Sequence, residues 1–361
     1  MSIRHVLFSE RDNLIELHPE LLCQYPKFVT PYLADAIDYP ADFPYVFYAL
    51  EDGVVASYLN AFPDILFREK QQYRWAWNAN LFTNPNFRGR GLAQKIIEHQ
   101  LTEFAKRGFV WGGTFSSDPA LRLYRKLGFK VVGAAARMCL LRNPAPFLRH
   151  HLSSRALVRF LSSTYWLGYR SAKLILFRQK SFKKNYSIEQ IGFAALAKLL
   201  DEHPRQYGDR AHWSDDAALL RAKMNARNSD QIALVRDSSA RPLLFFLWRV
   251  RDTAERPIKE RYSGVSMFSV MEFGYLQAEA SQDALIRAAI ALFDETSADL
   301  LEIITSPPEL ENAARRHGFV ALGSGMSFTF KAPKGHPLDH VKTAVADWDL
   351  THYSGDGYSF E

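Results

Sequence analysis

The sequence predicts an α/β protein: two tandem copies of a mixed, mostly antiparallel sheet flanked by helices, joined by a basic helical linker. Three observations carry this expectation. Strand-like alternation and helical spacing of apolar residues interleave along the chain. Asp52-Gly53, between FPYVFYAL (43–50) and VVASYLNAF (54–62), signals an antiparallel hairpin. The order of elements in 267–330 also repeats that of 73–141. Each runs strand, helix, strand, short helix ending in Gly-Phe, closing strands, and YRKLGFKVVGAAARM stands beside ARRHGFVALGSGMSF.

Element by element, IRHVLF (3–8) is a short strand and 17–36 holds helical turns. YRWAWNANLFT (73–83) alternates and is a third strand, stopped by Asn84-Pro85-Asn86. In 92–108, Leu92, Ile96, Ile97, Leu101, Phe104 and Ala105 fall on one helical face, with Gly108 as C-cap. FVWGGTF (109–115) is a buried strand. DPALRLYRKLG (118–128) has Asp118 as N-cap, Pro119 at the first helical position and Gly128 at its end. FKVVG (129–133) and ARMCLL (136–141) read as two closing strands. Beyond Pro144-Ala145-Pro146 a basic helical segment runs to about 184. The second half is expected to hold helices at 188–202, 214–226, 281–295 and 308–317. Its strands are placed at 231–236, 242–251, 267–279, 299–304 and around 320–330, with an irregular tail. The domains are therefore set at 1–142, 143–185 and 186–361.

Composition narrows the function classes. The chain has 361 residues, 47% of them hydrophobic and 23% charged, which suits two globular domains without disulfide or metal staples. Cys23 and Cys139 form no CxxC pair, and the His residues have no metal-ligand spacing. MSIRHVLFSERDNL lacks the apolar core of a secretory signal. The expected location is cytoplasmic, with a membrane-peripheral position as the open variant. Net charge is +6, but no acid lies between Asp118 and Glu189, where 15 Lys and Arg stand. Such a one-signed block suits an anionic or membrane-proximal partner. A lipid-facing amphipathic helix and an interdomain helix whose apolar side packs on both domains are the two readings of 147–184, the second preferred. No nucleic-acid module is present, so no nucleic-acid partner is expected.

The sharpest local signal is Phe87-Arg88-Gly89-Arg90-Gly91-Leu92-Ala93, set between a strand and an amphipathic helix. Two glycines allow a tight turn, the helix start offers unpaired N–H groups, and two arginines add cationic donors, which together suit a phosphate. No GK[ST] follows, so it is not a P-loop. Gln94 stands where a dinucleotide fingerprint needs its third glycine.

With these residues in place, the sequence resembles the GCN5-related N-acetyltransferase (GNAT) superfamily. Arg88-Gly89-Arg90-Gly91-Leu92-Ala93 matches every fixed position of its [Q/R]-x-x-G-x-[G/A] signature. Ala120, Tyr124, Gly128 and Phe129 match its A-x-x-x-Y-x-x-x-G-F helix. The resemblance covers 1–142 and implies acetyl-CoA, or another acyl-CoA, as co-substrate with no metal. Backbone groups of Arg88, Gly89, Arg90, Gly91, Leu92 and Ala93 would hold the pyrophosphate. Main-chain groups near Leu81 and Thr83 would hold the pantetheine arm between splayed strands 73–83 and 109–115. Ser117 and Ala120 would border the cofactor, and Tyr124 would serve as general acid for the departing thiolate.

Ser117 departs from the Asn common in the family, and strand 73–80 carries no acidic general base. A water held by Asn78 or Asn80, a residue from elsewhere, or an amine that arrives neutral would take its place. Trp75 and Trp77 either pack in the core or line the acceptor pocket, and Tyr124 itself could be a core aromatic. The second half has no phosphate loop before 281–295 and places Ala314 where Tyr124 stands. It reads as a degenerate copy that shapes the acceptor site or a homodimer contact. The implied activity is N-acetyl transfer to a primary amine of a small molecule or amino sugar. A protein N-acetyltransferase, a non-catalytic CoA-binding scaffold and an aminoacyl-tRNA-dependent relative are the alternatives.

Overall fold

The structure is a computed structural model that describes residues 1–24, 40–115, 118–152, 154–176, 185–207, 209–213, 231–252, 264–341 and 344–351. The first half runs β1 (Ser2–Leu7), short helices α1 (Leu14–Leu17) and α2 (Pro19–Gln24), then β2 (Pro44–Glu51), β3 (Val54–Arg68) and β4 (Gln71–Thr83). It continues with α3 (Leu92–Lys106), β5 (Val110–Phe115), α4 (Asp118–Lys126) and β6 (Lys130–Leu141). Helices α5 (Ala145–His151) and α6 (Arg155–Leu176) follow. The second half has β7 (Tyr186–Ile191), α7 (Phe193–Glu202), β8 (His212–Trp213), β9 (Gln231–Asp237), β10 (Pro242–Asp252) and β11 (Ser266–Tyr275). It ends with α8 (Gln282–Glu295), β12 (Leu300–Thr305), α9 (Pro308–Arg316) and β13 (Val320–Lys331).

Two expectations change. Residues 188–191 belong to β7 and not to a helix, because Gly192 breaks the chain there and Tyr186–Ile191 pairs with β9 along its length. The expected two closing strands 129–133 and 136–141 are one strand, β6, running straight through. The expected helix at 214–226 lies outside the described residues.

The thirteen strands form one sheet, in the order β1-β2-β3-β4-β5-β13-β6-β12-β11-β10-β9-β7, with β8 attached to β3. Among the described strands only β4/β5 and β11/β12 are parallel neighbours. Read inward from both ends, the order is the same series of equivalent strands, meeting at β13 and β6. The final strands are thus exchanged. β13, from the end of the chain, pairs with β5 of the first half, while β6 pairs with β12 of the second. The exchange is held by a buried ion network. Glu302 on β12 takes Arg137 of β6, Arg251 of β10 at 3.0 Å and the Ser269 hydroxyl at 3.1 Å.

Period-two alternation sorts β4 between two cores. Trp75 and Trp77 face a cluster that joins both halves, with Trp213, Phe328, Phe330 and Trp348. Ala76 faces the opposite cluster, beneath α3, with Phe47, Ile96, Ile97, Phe104 and Trp111. The same alternation turns the next polar residue, Asn78, toward α3 and α4.

Candidate active site

The site begins where β4 and β5 part. Among the described residues their pairing covers only Trp75–Val110, Ala76–Trp111 and Trp77–Gly112. Past that point β4 stays with β3 as far as Thr83, and β5 stays with β13 as far as Phe115. The β3 register slips by one residue between Tyr58 and Asn60, and Asn80 sits at φ +54, so an extra residue bulges out of β4. The backbone therefore diverges into a fork whose arms are 78–83 and 113–115.

At the apex of the fork three buried polar side chains connect. Asn78 Nδ2 donates to the Tyr124 hydroxyl at 2.5 Å, and Gln100 Nε2 from α3 reaches Asn78 Oδ1 at 3.4 Å. All three are almost wholly removed from solvent. The Tyr124 ring packs edge-on against Phe129 at 5.0 Å and beside Trp111 at 5.2 Å. The spacing in the sequence explains this position. Gly128, at φ +78, takes the left-handed turn that ends α4. Phe129 N–H then bonds Tyr124 O and Gly128 N–H bonds Arg125 O, a Schellman termination that folds Phe129 back onto the tyrosine. Lys331 Nζ, from the exchanged strand β13, donates to Leu127 O at 2.5 Å and fixes that helix end.

At the other end of the fork lies the start of α3. Its N-cap is Gly91 at φ +73, preceded by Gly89 at φ +80, a backbone that L side chains adopt only with strain. No side chain caps this helix and its first turn carries no acid, so its amides and dipole are left to the surroundings. Arg88 Nε donates to Thr83 O at 3.3 Å, tying the loop to β4. Arg90 is in an ion pair with Glu51 at 2.9 Å and its guanidinium lies 5.2 Å over Phe87.

The remaining candidates fall as follows. Leu81 and Thr83 lie on the β4 arm, half-buried, and the Thr83 hydroxyl is 2.9 Å from that of Ser57. Leu92 is buried and Ala93 half-buried in the first turn of α3, and Ala120 is half-buried on α4. Ser117 lies outside the described residues. Trp75 and Trp77 have no open surface, and the Trp77 indole donates to buried Asp64 at 3.0 Å, so neither presents a face to an acceptor. Sequence reasoning missed Gln100, Gly112 and Lys331. Gln100 had a signal: it interrupts the apolar face of Ile96, Ile97 and Phe104 with a polar side chain. Gly112 and Lys331 had none, because their roles depend on long-range contacts.

The equivalent places in the second half are filled differently. The N-terminus of α8 is capped by Ser281, whose hydroxyl accepts from Ala284 N–H at 3.2 Å, and Asp283 stands in its first turn. Helix α9 ends in the same Schellman turn, Phe319 N–H to Ala314 O, but the position of Tyr124 is taken by buried Ala314.

Residues 14–129, which span the fork, the glycine loop and α4, match the model of the acetyltransferase (GNAT) family. This stretch is a GNAT domain. The fold of the longer chain is likewise similar to solved structures. A GCN5-related N-acetyltransferase from Anabaena variabilis aligns with a TM-score of 0.55 and 14% identity, over 92% of this chain and 73% of that one. A conserved protein of unknown function from Enterococcus faecalis, with N-acyltransferase as its suggested activity, aligns with a TM-score of 0.55 and 12% identity, over 92% and 72%. A GCN5-related N-acetyltransferase from Kribbella flavida gives 0.52 and 13%, over 92% and 71%. At such identities the likeness speaks for the fold alone, and it extends past the GNAT domain through the second half. No curated protein matches the sequence. Among the described residues no cluster of His, Cys, Asp and Glu could hold a metal, and no helix is long and apolar enough to cross a membrane.

Proposed function

We propose that the protein is an acyl-CoA-dependent N-acyltransferase that moves acetyl from acetyl-CoA to a primary amine of a small molecule or amino sugar, both substrates being bound together. The observation that carries this reading is the fork itself, with an uncapped glycine-led helix start at one end and a buried tyrosine hydroxyl at the other.

Acetyl-CoA supplies the activated acyl carbon and a thiolate leaving group. The backbone amides of 88–93 bind its pyrophosphate, with Arg88 adding charge. Arg90 does so only by leaving Glu51. The arms of the fork, with Leu81 and Thr83 on one side, hold the pantetheine chain. The amine nitrogen attacks the acyl carbon, the C–S bond breaks, and the thiolate takes a proton from Tyr124, while the amine gives its own to water. Asn78 donates to the tyrosine oxygen and holds the hydroxyl at the apex of the fork, where it serves as the proton donor.

On this reading 1–142, completed by β13, is the catalytic unit, 143–185 is the linker and 186–361 is a degenerate copy. Ser281, Asp283 and Ala314 support the last assignment, since a capped, acidic helix start and a missing hydroxyl suit neither phosphate nor thiolate. The complete burial of Tyr124 favours a second reading, a CoA-binding scaffold without turnover.

Calorimetric titration with acetyl-CoA, beside Arg88→Ala/Gly91→Glu, tests the binding half. One site that is lost in the variant is expected, and no binding at low salt would overturn the proposal. Tyr124→Phe tests the chemical half against a panel of amines. A fall in kcat with unchanged CoA affinity marks the enzyme, and no turnover by the parent protein on any amine marks the scaffold.

A further inference from the structure

Glu51 is an acid beside a loop suited to an anion, and it enters the acyl transfer only as the partner that Arg90 must leave. It ends β2 at the tip of the β2–β3 hairpin, whose turn residues Asp52 and Gly53 lie at φ +54 and +74. The Ser57–Thr83 pairing of β3 with β4, and the Asn84 N–H bond to Ala56 O at 3.0 Å, bring this tip beside the segment that enters the glycine loop. There Glu51 Oε1 accepts from Arg90 at 2.9 Å. The other oxygen, Oε2, is buried and has no hydrogen-bond partner. The Glu51 side chain is 21% exposed against 53% for Arg90. The carboxylate is thus fixed by the hairpin, and the arginine is the partner free to turn toward a ligand. Arg88 is bound to Thr83 O, so both loop arginines are engaged before any anion arrives. A carboxylate here opposes phosphate binding in two ways. It repels the incoming charge, and it holds a guanidinium that would otherwise meet it.

We propose that Glu51 sets the affinity of the coenzyme site: its carboxylate competes with the pyrophosphate of CoA for Arg90, and so weakens acetyl-CoA and free CoA by the same factor. The inference rests on the acyl-CoA reading of residues 88–93. Donor and product share the pyrophosphate, so the competition leaves the acyl carbon and the thiolate untouched. An ion pair this exposed is weak, whereas a guanidinium–pyrophosphate contact is charge-assisted on both sides. The ligand therefore wins the arginine, and Glu51 takes it back when the ligand leaves. The consequence is faster release of CoA after transfer, because affinity differences of this kind lie mainly in the off-rate. Glu51 acts through Arg90 and is a positioning residue, without contact to the reacting atoms.

The test is calorimetric titration of the full chain, Glu51→Gln, Arg90→Gln and the double variant, each with acetyl-CoA and with CoA, at low and high salt. Glu51→Gln should bind both ligands about fivefold tighter at low salt, and the gain should vanish by about 0.5 M salt. In the Arg90→Gln background the same substitution should change either affinity by less than about twofold. Simple repulsion of the phosphates by Glu51 would instead give the full gain with or without Arg90. Stopped-flow release of CoA should be about fivefold slower from Glu51→Gln, with Tm within about 2 °C of the parent. The proposal is overturned if Glu51→Gln binds no tighter than the parent, if it tightens only one of the two ligands, or if the gain survives Arg90→Gln. A parent chain that binds neither ligand overturns it together with the acyl-CoA reading. A parent that binds at one site lost in Arg88→Ala/Gly91→Glu, and that Glu51→Gln merely equals, overturns this inference alone.

Discussion

Gly112→Ala probes the apex of the fork with one methyl group. A Cβ at this position would lie 2.0 Å from Trp75 Cζ2, 2.7 Å from Cε2 and 2.9 Å from Cη2, all in the benzo ring of the indole. Carbon atoms in contact sit about 3.5–4.0 Å apart, so the ring must retreat by about 1.5 Å or the strand must move. Retreat is blocked, because Trp77, Trp213, Phe328, Phe330 and Trp348 surround Trp75 at centroid distances of 5.4–6.1 Å. Overpacking costs about 1–3 kcal/mol, and a ring held this closely puts Gly112→Ala at the upper end. For a chain of 361 residues Tm should fall by about 4 °C. Trp75→Phe removes the clashing benzo atoms, so the double variant should be no more than about 1 kcal/mol less stable than Trp75→Phe alone. Urea unfolding of all four proteins, followed by circular dichroism, gives the cycle. A Gly112→Ala protein within about 2 °C of the parent, or a double variant whose losses simply add, would refute the placement of Trp75 beneath the strand.

Four further outcomes are expected. Tyr124→Phe should lower kcat by about 10²-fold or more with the acetyl-CoA Kd unchanged, measured by steady-state kinetics and calorimetry; equal loss in both would make the hydroxyl a structural group. Glu302→Ala strands Arg137 and Arg251 and should cost about 3–5 kcal/mol in urea unfolding, whereas a loss under about 1 kcal/mol would remove the ion network as a tie between the halves. Burial, opposed in part by nearby carboxylates, holds the pKa values of His5, His18, His99, His317 and His336 below the ordinary imidazole value. The unfolded chain then takes up protons first as pH falls through about 6.5, so stability present above that pH is lost below it; a urea midpoint that stays flat or rises from pH 7.5 to 5.5 would contradict this. A fragment of residues 1–142 lacks β13 and leaves the β5 edge bare, so it should show no cooperative monomeric transition unless 143–361 is supplied in trans.

Much of the first half was legible in the sequence because its signals are local. Asp52-Gly53 marks the β2–β3 turn, and the apolar spacing of 92–104 marks α3. Gly128-Phe129 announces the termination that seats Tyr124, with Gly318-Phe319 as its echo. The strand exchange was not legible. FKVVG and ARMCLL read as two closing strands, yet the chain passes through Gly133 at φ +147, a conformation that favours glycine, and runs on as one strand toward β12. Which of two similar strands, β6 or β13, fills the place beside β5 is decided by contacts some two hundred residues away, and no local preference encodes it. Ile188 and Ile191 illustrate a smaller failure, since apolar residues three apart fit a helix as well as a strand with one irregular position.

The exchange also bears on how the fork is built. A strand has two hydrogen-bonding edges, and β4 and β5 part only on the edges that face each other. Their outer edges stay engaged, β4 with β3 through Thr83–Ser57 and β5 with β13 through Phe115–Ser327. Opening the fork therefore forfeits only the inner ladder, and the outer neighbours keep both arms in place without a ligand. One of those neighbours comes from the far end of the chain, as does the Lys331 ammonium that holds the helix bearing Tyr124. The second half, whatever it binds, is thus a structural component of the first half's site: a perturbation of β13 moves the β5 arm and the tyrosine helix together.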